Sequence, residues 1–295
     1  MTTAPTTAPA ASVPLSLAVT RSALRVLSRT MPNVASRIAV DLFMTPRRFR
    51  TPDRERALLA DASPFEVRLG TGTTIRAWSW GEGPVVLLVH GWEGRGSQMS
   101  TFVQPLVDAG YRVVTFDAPG HGASDGNRSS LPHFTWALRG VADATGEPHA
   151  IIAHSLGCAA TTLALKEGLT ANRLVFFAPP LDPVEYTARF GEIIGIDGEV
   201  LTRMRLRIEE RFLRKWSDYS LAETAKEMTA PLLIVHDRED RETYWSESKA
   251  LAEAWPNARL ITTEGLGHRK ILREPALIEQ TVRFITPQAG GAGGL

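Results

Sequence analysis

The sequence predicts an α/β protein: a doubly wound, mostly parallel sheet with N-terminal helices and a small helical cap insertion. Three observations carry this. Short apolar runs recur along the chain: VVLLVH (85–90), RVVTFD (112–117), AIIAH (150–154), RLVFFA (173–178), PLLIVH (231–236) and RLITTE (259–264). Most are unbroken rather than alternating, as expected for parallel strands covered on both faces. Helical stretches at 98–109, 130–145, 156–168, 246–254 and 275–285 separate them, and strand–helix–strand repetition implies parallel crossovers. One connection, about 180–229, is too long for a single crossover helix, and this gives the insertion.

Taken in order, residues 1–14 (MTTAPTTAPAASVP) are Thr/Ala/Pro-rich without a basic start and apolar core, so they read as a disordered tail rather than a secretory signal. Residues 15–63 form an N-terminal helical segment: Leu17, Leu24, Leu27, Ile38, Leu42 and Phe43 recur at helical spacings, with breaks at Pro32 and Pro46. Residues 1–60 hold nine arginines against three acids. Such a segment suits either arginines facing water on helices packed against the main domain, or contact with an anionic membrane. From 64 to 286 the main domain begins with a hairpin, FEVRL and TIRAWSW around Gly70-Thr71-Gly72, and continues through the apolar runs. Apolar residues of the insertion, including Phe190, Val200, Met204, Ile208 and Trp216, read as its core. The glycine-rich end, 287–295, reads as a second disordered tail.

Composition limits the function classes. With 295 residues, 43% hydrophobic and 22% charged, the chain can bury a full core. A net charge of +1 gives no reason to expect a nucleic-acid partner. The single cysteine, Cys158, permits no internal disulfide and no cysteine-type zinc site, which suits a reducing, cytoplasmic setting. No run approaches the roughly 18 apolar residues of a membrane span.

In an open parallel sheet, ligands bind beyond the carboxyl ends of the strands. Those ends carry His90-Gly91-Trp92-Glu93-Gly94, then Asp117 to Ser124, then Ser155, then Asp237, Glu239, Asp240 and Glu242, then Gly265-Leu266-Gly267-His268. A serine, several carboxylates and a histidine therefore share one edge, in chain order Ser, Asp, His. A serine hydroxyl becomes a useful nucleophile once a base takes its proton. An imidazole can do so near neutral pH, and a carboxylate can fix its tautomer. Ser155 itself sits in Ala153-His154-Ser155-Leu156-Gly157, one residue from the G-x-S-x-G nucleophile elbow. Alanine in place of the first glycine adds a single methyl.

Residues 64–286 resemble the α/β-hydrolase superfamily. The matching motifs are HGW (90–92), D-x-P-G-H-G-x-S (117–124), A-H-S-L-G (153–157), H-D-R-E-D (236–240) and G-L-G-H (265–268). The resemblance implies Ser155 as nucleophile and His268 as base, with an oxyanion hole from the backbone N–H groups of Trp92 and Leu156. It places the acid at Asp240, while Asp237 stands where the family pattern has glycine. Glu239, Glu242 and Asp182 are the other carboxylates at candidate positions. It implies no cofactor and no metal. His90, His121 and His154 read as supporting residues and Cys158 as a buried, inert thiol. Glu93, Arg95 and Gln98 belong to the loop over the site.

The activity expected is cleavage of a small carboxylic ester through an acyl-enzyme. A thioester, lactone, amide or carbon–carbon bond could be cut by the same triad, and a non-catalytic binding or membrane-surface protein is the alternative of another class. The sequence leaves the oligomeric state open.

Overall fold

The computed structural model describes residues 15–196 and 198–286. The tails read at 1–14 and 287–295 lie outside the described residues. The described residues divide into two compact units, one of 44–183 with 215–286 and one of 15–43 with 184–214.

The N-terminal helices are α1 (Leu15–Thr30), α2 (Pro32–Met44) and α3 (Asp53–Ala60). Pro32 breaks the run as expected and then serves as the first residue of α2, where its missing N–H costs nothing. The main unit carries the sheet: β1 (Ser63–Arg68), β2 (Thr74–Trp80), β3 (Val85–Val89), β4 (Arg112–Phe116), β5 (Ala150–His154), β6 (Arg173–Phe177), β7 (Leu232–Asp237) and β8 (Ala258–Thr263). Its helices are α3 and α4 (Val103–Asp108), α5 (Leu131–Thr145) and α6 (Leu156–Lys166). The strand order is β1-β2-β4-β3-β5-β6-β7-β8. β2 runs antiparallel to β1 and β4, and the remaining pairs are parallel. This is the doubly wound, mostly parallel sheet that the apolar runs predict.

The residues of β3, β5 and β7 are buried throughout, which explains why those runs lack polar alternation. One face packs Leu87, Val89, Ile151, Ala153 and Phe176 against α5 and α6. The other packs Val86, Leu88, Ile152, Val175 and Phe177 with Phe102, Leu106 and Ile278. Strand register then aligns the loops that follow. Val89 lies opposite Ala153, and His154 opposite Phe177, so Gly91 emerges beside Ser155.

The second unit contains α1, most of α2, α7 (Pro183–Ile194, from Val184 on) and α8 (Gly198–Phe212). Phe43 and Phe190 meet edge to face with centroids 5.1 Å apart. Arg203 donates to Asn33 Oδ1 (2.8 Å) and Arg207 to Ser36 Oγ (2.9 Å). Helices far apart in sequence thus belong to one body. Residues 44–63 fall with the sheet unit. So do 215–229, read from the sequence as the end of the insertion, because Tyr219 and Leu221 enter the core beside α6. This later part forms a 3-10 turn and α9 (Leu221–Ala225), followed after β7 by α10 (Trp245–Ala254), α11 (Gly267–Lys270) and α12 (Pro275–Ile285). Among the described residues, no helix is long and apolar enough to cross a membrane.

Candidate active site

β5 ends at His154 and α6 begins at Leu156, so the chain must reverse at one residue. That residue is Ser155, with φ 52° and ψ −124°. A side-chain-bearing residue rarely adopts this backbone, and the surroundings must hold it there. The Ser155 N–H donates to the Phe177 carbonyl (2.9 Å), and the Ser155 carbonyl accepts from Cys158 N–H (2.9 Å). Close approach explains the motif around it. A Cβ on Gly157 would stand 2.6 Å from the His90 carbonyl oxygen and 2.7 Å from that of Val89, both rigid backbone. A Cβ on Gly91 would stand 2.9 Å from Ser155 Cβ. Ala153, by contrast, is fully buried in the α5/α6 face of the sheet. Its methyl is core packing, so the departure from the first glycine of the motif needs no compensation.

The loop after β3 is held by two imidazoles. His90 Nδ1–H donates to the Gly91 carbonyl (2.7 Å), and its Nε2 accepts from Ala118 N–H (3.0 Å). His121 Nδ1–H donates to the Pro119 carbonyl (3.0 Å), and its Nε2 accepts from Glu93 N–H (3.1 Å). Each ring needs one bare nitrogen for this, and burial keeps both neutral: His90 is lowered to about 4 and His121 to about 3. Asp117 joins the two loops, accepting from Gly96 N–H and Ala123 N–H at 2.7 Å each. Burial raises its carboxyl despite those bonds. A Cβ on Gly122 would overlap the same carboxylate, so the second glycine of the PGHG turn is sterically required. Among the described residues, neither Trp92 N–H nor Leu156 N–H has a protein acceptor.

On the other side of the edge, His268 Nδ1–H donates to Asp240 Oδ2 (2.7 Å). Thr243 Oγ1 donates to the same oxygen (3.0 Å), and His236 Nε2 lies 3.3 Å from it. Asp240 Oδ1 accepts from the backbone N–H groups of Glu242 (2.7 Å) and Thr243 (3.1 Å). Burial alone would raise this carboxyl, but the bonds from His236 and His268 and the electrostatic pull of the His268 ring hold it well below the ordinary carboxylate range. Asp237 has a different task. It accepts from Thr263 Oγ1 (2.7 Å), Leu266 N–H (3.0 Å) and Glu239 N–H (3.0 Å), which fixes the loop leading to His268. Burial opposes ionisation of Asp237 as well, and these bonds again win and lower its pKa.

Each carboxylate the sequence offered thus has a definite place. Among the described residues, the His268 side chain contacts Asp240, Thr243 and, at 3.8 Å from Nε2, the half-exposed Glu242. Among the described residues, Asp182, Asp237 and Glu239 form no hydrogen bond or ion pair with its side chain. His154 stacks at an angle beside His268, centroids 4.6 Å apart, and its Nε2–H donates to the His268 carbonyl (2.9 Å). Burial, then the neighbouring His268 charge, lowers His154 well below the ordinary histidine range, so it holds the backbone of His268 as a neutral ring. Burial pushes the Cys158 thiol well up, which leaves it a poor nucleophile. Thr243 and His236 lie on Asp240 and carried no signal of their own in the sequence. His236 falls inside the H-D-R-E-D stretch, but only the turn after β7 brings its ring behind the carboxylate. Among the described residues, no group of three or more His, Cys, Asp or Glu could hold a metal ion.

The profile of the alpha/beta hydrolase family matches residues 86–281, which spans β3 to α12 and every residue described above at the sheet edge. The chain belongs to the alpha/beta hydrolase family. Curated relatives include a serine hydrolase-like protein of Danio rerio, 35% identical over 122 residues. That match covers 39% of this chain and 36% of the relative, so the chain spans about a third of that protein's length. The pimeloyl-[acyl-carrier protein] methyl ester esterase of Aeromonas salmonicida (strain A449) is 24% identical, over 70% of this chain and 96% of the relative. Among solved structures, the Pyrococcus furiosus esterase Pf2001 superposes with a TM-score of 0.63 at 17% identity, covering 81% of this chain and 98% of that one. At such identity the likeness shows the fold alone. Family membership leaves the bond and substrate of this alpha/beta hydrolase to its site.

Proposed function

We propose that this alpha/beta hydrolase cleaves a small carboxylic ester through an acyl-enzyme, with Ser155 as nucleophile, His268 as base and Asp240 as the group that orients the base. The observation that carries the reading is the pairing of Asp240 Oδ2 with His268 Nδ1 at 2.7 Å, at the same sheet edge as the left-handed Ser155. With Nδ1–H committed to the carboxylate, Nε2 is the nitrogen left to take a proton. In the first step Ser155 Oγ bonds to the ester carbonyl carbon as its proton passes to His268 Nε2. The carbonyl oxygen gains the negative charge and accepts from Trp92 N–H and Leu156 N–H, donors that have no protein acceptor among the described residues. The C–O bond then breaks, and the departing alkoxide takes the proton from Nε2. Water repeats the sequence on the acyl-Ser155, giving it a proton at Oγ and releasing the acid.

The choice of an ester is supported by the named ester of the Aeromonas relative, and the fold alone would accept a thioester, lactone, amide or carbon–carbon bond. Comparing kcat/KM across matched esters, thioesters, lactones and amides separates these. A fluorophosphonate reagent is expected to label the wild-type protein at Ser155 and to leave Ser155→Ala unlabelled. Equal labelling of both would end the reading. The expected partner is the small ester itself, in the cytoplasm. Of the arginines that suggested a membrane surface, Arg47, Arg48 and Arg56 are already bonded within the sheet unit. Loss of salt-dependent binding to anionic vesicles on deleting residues 1–43 would instead support membrane contact.

A further inference from the structure

We infer that the segment between α2 and α3 is a brace for the loop carrying Trp92, and that Arg47 is a positioning residue acting through Glu93 on the Trp92 N–H. The inference rests on the serine hydrolase reading above. The loop has an unusual joint. Glu93, directly after Trp92, has φ 54°, a backbone conformation that a glutamate seldom takes without something to hold it. Its N–H is used by His121, and its carboxylate is used by Arg47. The Arg47 guanidinium donates from Nε to both carboxylate oxygens (2.9 and 3.1 Å) and from Nη2 to Oε2 (2.8 Å), and the Arg47 backbone N–H donates to Oε1 (3.1 Å). A planar fork with a fourth bond from its own backbone fixes orientation as well as distance. Because the Arg47 side chain is 77% exposed, this pair contributes little to overall stability, and its effect is on geometry.

The same short stretch grips the neighbouring loops. Arg48 donates to three carbonyls of the loop after β4: Gly120 (2.9 Å), Ser124 (2.8 Å) and Gly126 (2.6 Å). The Ser129 N–H donates to the Met44 carbonyl (2.7 Å). At the start of α3, Glu55 accepts from Arg95 Nε (2.7 Å) and Ser97 Oγ (2.8 Å), with both charged side chains buried. Residues 44–55 thus hold the Trp92 loop at Glu93, Arg95 and Ser97, just after Trp92. Residues 44–55 precede the span of the family profile, while their partners Glu93, Arg95 and Ser97 lie within it.

An oxyanion donor works by standing where charge develops, and removing one costs roughly 100- to 1,000-fold in rate, so loosening one should cost about tenfold. Arg47→Ala is expected to lower kcat on a p-nitrophenyl ester about tenfold with KM changed less than about twofold, and to weaken a trifluoromethyl ketone inhibitor by a similar factor. Glu93→Gln is expected to do the same. The double variant should be no worse than either single one, since the two act as a unit. Amide exchange of residues 91–95, followed by mass spectrometry, should quicken in Arg47→Ala. Unchanged kcat and inhibitor affinity, or fully additive losses, would overturn the inference. So would a fall in Tm with kcat and exchange intact, the result of a merely structural ion pair. If the wild type takes no fluorophosphonate label, the serine hydrolase reading fails first. The brace is then decided by exchange alone, and unchanged exchange rejects it.

Discussion

Replacing Asp240 by asparagine tests the acid assignment, because the surrounding donors dictate which way the amide must turn. Asp240 Oδ1 accepts from two backbone N–H groups, at 2.7 and 3.1 Å. These donors cannot reverse. The groups on Oδ2 are the Thr243 hydroxyl and the His268 and His236 rings, and each of these can rotate or change tautomer. In Asp240→Asn the amide oxygen therefore takes the Oδ1 position, and the NH2 faces His268 Nδ1. That nitrogen must then accept, which moves the ring proton to Nε2 and removes the lone pair that would take the Ser155 proton. Loss of the base in this way costs about 10^4-fold in turnover, equivalent to roughly 5.5 kcal/mol of barrier. The fold should persist, because the same shape and the Oδ1 bonds remain. The assay is kcat/KM on a p-nitrophenyl ester beside a urea unfolding curve, with Asp237→Asn and Asp182→Asn as comparisons. Asp237→Asn keeps one acceptor for the loop before His268 and should lose about tenfold, the effect of displaced geometry rather than of a lost base. A folded Asp240→Asn that retains a tenth or more of wild-type kcat/KM would refute the reasoning. A thousandfold loss in either comparison variant would move the acid elsewhere.

Three further perturbations follow from the packing. Gly157→Ala drives a methyl against two backbone carbonyls and should cost about 1–3 kcal/mol, read as a lower urea midpoint together with lost fluorophosphonate labelling; an unchanged midpoint would show that the elbow can yield. Glu55→Ala leaves Arg95 buried without its carboxylate and should cost about 3–5 kcal/mol by the same unfolding measurement, and a loss under about 1 kcal/mol would contradict a buried pair. His90 and His121 are neutral in the folded chain down to about pH 4 and about pH 3, whereas in the unfolded chain they take up protons below about pH 6.5. Stability is therefore full above pH 6.5 and falls as the pH drops toward 4, by on the order of 3 kcal/mol from His90 alone. His121→Asn should flatten this dependence, and equal slopes in the two proteins would exclude His121 as a source of it.

Much of the fold is visible before any coordinates. A strand buried on both faces has no polar side to show, so VVLLV, AIIAH and LLIVHD announce their own environment, and the helices between them leave few topologies open. The order of the motifs brings Ser155, Asp240 and His268 to one edge for the same reason: parallel strands send all their carboxyl ends the same way. Boundaries and partnerships are less visible. Residues 180–229 carry helical periodicity throughout, and periodicity does not say which surface an apolar face will find. Only the folded chain separates α7 and α8 from the later turn that holds Tyr219 and Leu221 in the sheet unit.

The local chemistry of the chain determined the strands, the crossovers and the glycines at 91 and 157, because covalent geometry and hydrophobic periodicity act over a few residues. Tertiary structure decided what depends on side-chain direction. Asp237 and Asp240 are three residues apart on one turn, and the resemblance alone favours Asp240. The turn sends one toward the backbone of Leu266 and the other toward the ring of His268. In the same way Arg47 is one arginine in a basic run until folding closes the 46 residues that separate it from Glu93. Hydrogen bonds have direction and short reach, and a linear sequence records neither.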